Sequence, residues 1–161
     1  MVLEYNNNGG SHMNSGSEKL KTNTVQISLK TVLLSDIINA ISKVVSHPTE
    51  VLIKMDIEGS ECNAFLGSPE VLTNQQSISI VAVIMEWTFH NWPDRCSAAK
   101  VLELKKMFLD ARYIPFTFKN QKLVNLDVRQ DWKSDVLWIK DYGIIHSICP
   151  TCNVSTIYYP Y

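Results

Sequence analysis

The chain has 161 residues, of which 45% are hydrophobic and 19% are charged, and its formal net charge is −1. This composition excludes a disordered or collagen-like chain, and the length is typical of one domain with a buried core. No apolar run reaches the roughly 18 residues that a transmembrane helix needs, and the balanced charge argues against a dedicated nucleic-acid-binding protein, whose affinity rests on a basic surface.

Composition divides the chain into three parts. Residues 1–23 are rich in Asn, Gly and Ser, and we expect a flexible lead there because they carry too little apolar surface to offset the entropy of ordering. Residues 24–141 form the predicted domain, and residues 142–161 form a C-terminal tail. Since the first ten residues carry no apolar signal core, we expect a cytoplasmic protein.

Apolar periodicity predicts alternating strands and helices through the domain. In chain order these are a strand at 25–27, a helix within 32–46, a strand at 51–57, short helices at 60–66 and from 68, a strand at 78–87, a helix at 98–111, and strands at 113–118, 123–126 and 135–140. The run 78–87 is apolar at nearly every position, which is typical of a strand buried on both faces in a parallel or mixed sheet covered by helices. The pattern predicts an α/β layered domain.

The four cysteines indicate little. Cys62, Cys96, Cys149 and Cys152 are too few and too widely spaced for a disulfide framework. Cys149 and Cys152 form a lone CxxC, and a zinc site would need a second pair. We therefore expect a tail with incidental thiols.

Acidic residues are concentrated in the middle of the chain. Residues 51–94 hold one basic and six acidic residues, a net charge of −5, whereas residues 97–141 carry a net charge of +3. A negative segment suits a metal ion or an organic cation better than a phosphate ligand.

Two carboxylates follow the strand at 51–57. Asp56 and Glu58 lie two residues apart, so they point to the same side at the strand end, and the glycine after them permits a tight turn. In open α/β sheets ligands bind beyond the carboxyl ends of the strands, where such acids can hold a metal, act as a base or neutralise a cationic cofactor. The alternative is structural: the acids pair with Lys54, and Ser60 and Glu61 cap the next helix.

A third acid ends the next strand. Glu86 is followed by Trp87, Phe89, His90 and Trp92, which together would make a pocket wall. His90 would act as a base near neutral pH. The alternative is a loop histidine packed among aromatic side chains.

The segments KMDIEGSE, AFLG and EVL resemble the signature of FkbM-type methyltransferases, which use S-adenosylmethionine. The strand VAVIMEW, ending in Glu86, and the closing strand DVLWI are also similar to the family, as is the helix at 102–113, where Arg112 replaces the usual glycine. The resemblance covers about residues 25–140. The residues that match the signature are Lys54, Asp56, Glu58, Gly59, Glu61, Phe65, Leu66 and Gly67.

The resemblance implies a Rossmann-like methyltransferase sheet that transfers a methyl group from S-adenosylmethionine to an O or N atom of a small-molecule acceptor. It makes Asp56, Glu58 and His90 the candidate catalytic residues, and Asp56 and Glu86 the candidate cofactor-binding residues, with no metal.

The family's Gly-rich loop after the first strand, and its ribose-binding acid after the second, have no counterpart in this sequence. The chain therefore resembles the C-terminal half of the domain, an incomplete sheet, and we expect it to bind cofactor poorly and to be inactive alone. The strand at 51–57 would lie beside the absent first strand, so we expect its exposed edge to be covered by a second copy or a partner chain.

Two other functions stay open. One is a non-catalytic interaction module, derived from a methyltransferase, that binds a partner by strand addition. The other is a metal-dependent hydrolase that uses the same carboxylates, although the sequence lacks a His/Asp cluster with metal-ligand spacing.

Overall fold

The computed structural model describes residues 2–4, 24–26, 30–57, 59–73, 77–91, 93–119, 122–132 and 135–140. The chain divides into two compact units, Met1–Val32 and Leu33–Tyr161. In the first unit, β1 (Val2–Glu4) pairs antiparallel with β2 (Thr24–Gln26). The sequence did not indicate β1, which lies within the expected flexible lead at residues 1–23. The expected C-terminal tail falls outside the described residues.

The second unit alternates strands and helices in close agreement with the predicted order. In chain order its elements are α1 (Leu34–Ser42), β3 (Thr49–Met55), α2 (Glu61–Leu66), a 3₁₀ helix (Pro69–Leu72), β4 (Ile78–Met85), a 3₁₀ turn (Phe89–Asn91), α3 (Ala98–Asp110), β5 (Ile114–Lys119), β6 (Lys122–Asn125) and β7 (Val136–Ile139). The prediction of an α/β fold is confirmed.

A mixed five-stranded sheet organises this unit, with the strand order β3-β4-β7-β5-β6. The neighbours β3 and β4 are parallel, because the chain crosses from one to the other through α2. The last strand, β7, inserts antiparallel between β4 and β5, and β6 pairs antiparallel with β5. This order leaves β3 at one edge of the described sheet.

The two faces of the sheet bury separate clusters. The larger cluster takes alternate residues of the strands, such as Val83 and Trp138, together with apolar residues of all three helices, among them Ile38, Phe65 and Phe108. The smaller cluster, on the opposite face, consists of Ala82, Ile114, Phe116, Leu137 and Ile139. The described helices therefore pack on one face of the sheet, whereas the apolar run 78–87 predicted a strand buried on both faces in a sheet covered by helices.

Helix α1 is capped by a residue far away in the sequence. Leu33 precedes the helix and offers no side-chain cap, but the Ser68 hydroxyl accepts a hydrogen bond from the Ser35 amide at 3.2 Å. Ser68 precedes the 3₁₀ helix, as its position in the sequence indicated, yet its side chain does not cap that helix. It is fully buried against α1, where it satisfies an amide that the first helical turn leaves unpaired.

A disulfide joins two of the four cysteines, although their number and spacing did not indicate a disulfide framework. Cys62 in α2 and Cys96, just before α3, form a disulfide that closes a sequence separation of 34 residues. Both side chains are buried. Because disulfides persist mainly in oxidising compartments, this bond is not typical of the cytoplasmic location expected from the sequence. The lone CxxC lies outside the described residues.

Candidate active site

The carboxyl ends of β3 and β4 bring two of the predicted acids together. Met55 pairs with Met85 in the parallel register, so Asp56 and Glu86, each one residue further on, leave the sheet side by side. A third acid joins them from β7: Met85 pairs with Val136 in the antiparallel register, which sets Asp135 opposite Glu86. A carboxylate thus lies directly after β3, directly after β4 and directly before β7, all at the carboxyl ends of the parallel strands.

These acids line a cleft with a volume of about 330 Å³. Its lining contains three carboxylates and one ammonium group, so its local charge is negative. The volume is near the lower end of the range for sites that bind small molecules. The lining residues are Lys54, Met55, Asp56, Ile84, Met85, Glu86 and Asp135.

Asp56 is also paired as the structural alternative predicted. The Lys54 ammonium donates to its Oδ2 at 3.2 Å, and the two side chains are 68% and 55% exposed. An ion pair this exposed contributes little to stability, because water screens both charges. Asp56 therefore lines the cleft while it is paired with Lys54, and the weak ion pair does not explain why an acid is placed there.

The turn after Asp56 depends on a glycine and a buried acid. Gly59 has φ 84°, a backbone conformation that favours glycine. The Ile57 amide donates to Glu61 Oε1 at 2.9 Å, and the Ser60 amide donates to the Ile57 carbonyl at 3.3 Å. Glu61 is fully buried, and its Oε2 has no hydrogen-bond partner in the described part of the chain. Glu61 thus closes the turn back onto β3, whereas the Ser60 side chain forms no cap.

Aromatic packing fixes the segments that carry Glu86 and Asp135. Trp87 lies 4.7 Å from Trp132, centroid to centroid, and both rings are buried. Lys105 on α3 lies over the Trp132 ring and donates to the Gln130 carbonyl at 2.7 Å, and burial lowers the pKa of this lysine. These contacts hold the chain on both sides of the cleft.

The other predicted site residues do not join this group. His90 lies in the 3₁₀ turn, is exposed, and does not line the cleft. Trp87 and Phe89 pack in the core with their centroids 4.8 Å apart instead of forming a pocket wall. Glu58 and Trp92 fall outside the described residues, so their predicted roles stay predictions.

Asp135 was not among the predicted site residues because it precedes its strand instead of following it. In a parallel sheet only the residues after a strand reach the ligand-binding edge. Since β7 runs antiparallel, the residue before it reaches that edge. The available signal was the acid at the start of DVLWIK, which needed a direction for the strand before it could be interpreted.

No family model, curated protein or solved structure matches the chain. The candidate site therefore rests on its own geometry. Among the described residues, no group of three or more His, Cys, Asp or Glu side chains is arranged to hold a metal ion. No helix in that part of the chain is long and apolar enough to cross a membrane.

Proposed function

We propose that this chain forms the acceptor side of an S-adenosylmethionine-dependent methyltransferase of the FkbM type, acting on an O or N atom of a small molecule. The observation that carries the proposal is the convergence of Asp56, Glu86 and Asp135 on one cleft at the carboxyl edge of the sheet. Asp56 and Glu86 are also two of the three acids that the family resemblance selects, the third being Glu58.

The topology supports the same assignment. In the doubly wound order 3-2-1-4-5-6, the fourth and fifth strands are parallel neighbours and the fourth lies beside the first. The signature that follows β3 ends the fourth strand in the family that the sequence resembles, and β4 resembles the next strand. These two strands are parallel neighbours here, and β3 lies at the edge where a first strand would pair. The strand that resembles the family's closing strand, β7, departs from that order by running antiparallel inside the sheet.

The charge of the cleft suits part of the cofactor. When bound, S-adenosylmethionine supplies a methyl group activated by a sulfonium cation. Asp56, Glu86 and Asp135 provide the negative potential that attracts such a cation. The sequence has no GxGxxG-like run to hold the nucleoside, so we expect weak binding by this chain alone.

The acids have separate roles in this proposal. Asp56 is exposed beside Lys54 and accepts the proton of the attacking hydroxyl or amine group. Glu86 and Asp135 shape the polar rim and orient the cationic part of the cofactor. His90 has no role in the proposal because it does not line the cleft.

Isothermal titration calorimetry tests the proposal with two ligands. S-adenosylmethionine should bind the full chain more tightly than S-adenosylhomocysteine, the neutral thioether, because only the former carries the sulfonium charge. Asp56→Asn and Glu86→Gln should each weaken S-adenosylmethionine binding roughly two- to fivefold, as expected for exposed charge interactions.

Asp94→Asn is the matched control, since Asp94 is exposed and does not line the cleft. It should leave binding unchanged. Equal affinity for the two ligands, or no heat with either at millimolar concentration, would reject the proposal.

A further inference from the structure

The edge strand β3 presents one row of side chains to solvent. Along Thr49–Met55 the burial alternates, with Val51, Ile53 and Met55 packed against the larger core cluster. The alternate residues Glu50, Leu52 and Lys54 are exposed, Leu52 by 56%. The exposed row on this edge strand therefore consists of an acidic, an apolar and a basic side chain, in that order along the chain.

The exposed rows of two β3 strands are complementary in charge when the strands run antiparallel. In an antiparallel pair of two such strands centred on Leu52, Glu50 lies opposite Lys54 of the partner subunit and Lys54 lies opposite Glu50 of the partner subunit. Leu52 then meets Leu52 of the partner subunit on the two-fold axis. Opposite charges and apolar side chains directly across a strand pair stabilise it.

Strand length selects the same register. Leu52 is the midpoint of Thr49–Met55, so centring the pair there overlaps all seven residues of both strands. Any shift from this register shortens the overlap. A shift by one residue would also place the exposed side chains of one strand on the opposite face of the joined sheet from those of the other strand. Val51 and Ile53 also pair across the axis, which extends the apolar face of each sheet into the next.

We propose that two copies of this chain associate through antiparallel β3–β3 pairing about a two-fold axis at Leu52, joining two five-stranded sheets into one of ten strands. Such a contact is isologous, as most homodimer contacts are, and it satisfies the backbone groups of an otherwise open edge. The inference is argued from the edge strand and not from the proposed function, although Lys54 also lines the cleft and a first strand would pair at the same edge.

Charge reversal tests the register by sedimentation equilibrium of the full chain. The wild type should dimerise. Glu50→Lys alone sets Lys opposite Lys at two symmetric positions and should weaken the dimer on the order of tenfold or more. Lys54→Glu sets Glu opposite Glu at the same two positions and should weaken the dimer to a similar extent. The double variant Glu50→Lys/Lys54→Glu should restore the wild-type dissociation constant.

Mixing the single variants gives the sharpest outcome. Each is self-repelling, but a Glu50→Lys subunit and a Lys54→Glu subunit are complementary at both pairs, so a heterodimer should form only on mixing. Glu103→Lys, an exposed acid on α3, is the matched control and should leave dimerisation unchanged.

Two results would overturn the proposal. A chain that stays monomeric up to its solubility limit excludes the dimer, and Glu50 and Lys54 would then act as charges that protect the edge from aggregation. A dimer whose affinity is insensitive to Glu50→Lys, or is not restored by the double variant, excludes this register. Circular dichroism of each variant establishes that a lost dimer does not reflect a lost fold.

Discussion

The Tyr113 amide donates to the Phe108 carbonyl at 2.9 Å, and the two rings meet edge to face with centroids 5.4 Å apart. One residue earlier, the Arg112 amide donates to the Leu109 carbonyl at 2.9 Å. These two hydrogen bonds and the apolar contact form a Schellman motif at the end of α3. The motif requires a left-handed residue between helix and strand, and Arg112 occupies that position with φ 65°.

Arg112→Gly should therefore stabilise the protein, since it removes the steric cost of a side chain at positive φ. We expect a gain of up to about 1 kcal/mol, because the greater freedom of glycine in the unfolded chain offsets part of the relief. Urea denaturation measures it. Arg112→Val, a β-branched residue at the same φ, should lose at least about 1 kcal/mol. Equal stability of the two variants would contradict the assignment of strain to this residue.

The buried acid Glu61 allows a second prediction, about the turn that presents Asp56. Glu61→Ala removes the acceptor of the Ile57 amide and should cost about 1–3 kcal/mol, together with faster hydrogen exchange at that amide. Glu61→Gln keeps an acceptor of the same shape and should stay within about 1 kcal/mol of the wild type. If Gln proved as damaging as Ala, the charge of Glu61 and not its hydrogen bond would hold the turn.

The Cys62–Cys96 disulfide should contribute measurably to stability. For a separation of 34 residues, loss of the cross-link should cost about 3–4 kcal/mol by the increased entropy of the unfolded chain. The double variant Cys62→Ala/Cys96→Ala should then melt roughly 6–16 °C below the oxidised wild type in calorimetry. Peptide mapping without reductant checks the pairing, and an unchanged melting temperature would speak against a native bond.

The hydrogen bonds between Arg129 and Asp127 predict a loss of stability at low pH. Arg129 donates to both of its carboxylate oxygens, and these hydrogen bonds lower the pKa of Asp127 from 3.8 to about 2. Because the folded-state pKa lies below the unfolded value, the contribution of this pair to stability is present above about pH 4 and is lost as the pH falls through about 2. Carboxyl NMR titration should give a midpoint near pH 2 for Asp127.

Arg129→Leu supplies the control for that titration. It removes the two guanidinium donors and their charge but keeps the backbone amide of residue 129 and the Gln130 side chain as donors, so the pKa of Asp127 should rise only part of the way towards its ordinary value of 3.8. A wild-type midpoint already near that value would show that the hydrogen bonds to Arg129 do not persist in solution.

The helices and strands of the second unit followed from the sequence because they depend on local periodicity, whereas β1 was not expected. The run 78–87 is apolar at nearly every position, and it forms the central strand β4, Ile78–Met85. The spacing of Ala98, Leu104 and Phe108 gave α3, and the glycine at position 59 has the positive φ that a tight turn requires. Each of these signals lies within a few residues, so no knowledge of distant neighbours was needed.

Only the tertiary structure determined which residues that are distant along the chain contact one another. The side chain of Ser68 caps α1, Cys62 bonds to Cys96, and Asp135 reaches the cleft only because β7 runs antiparallel beside β4. Such relationships depend on strand order and direction, which hydrophobic patterning does not encode, since a strand has the same alternation in either direction.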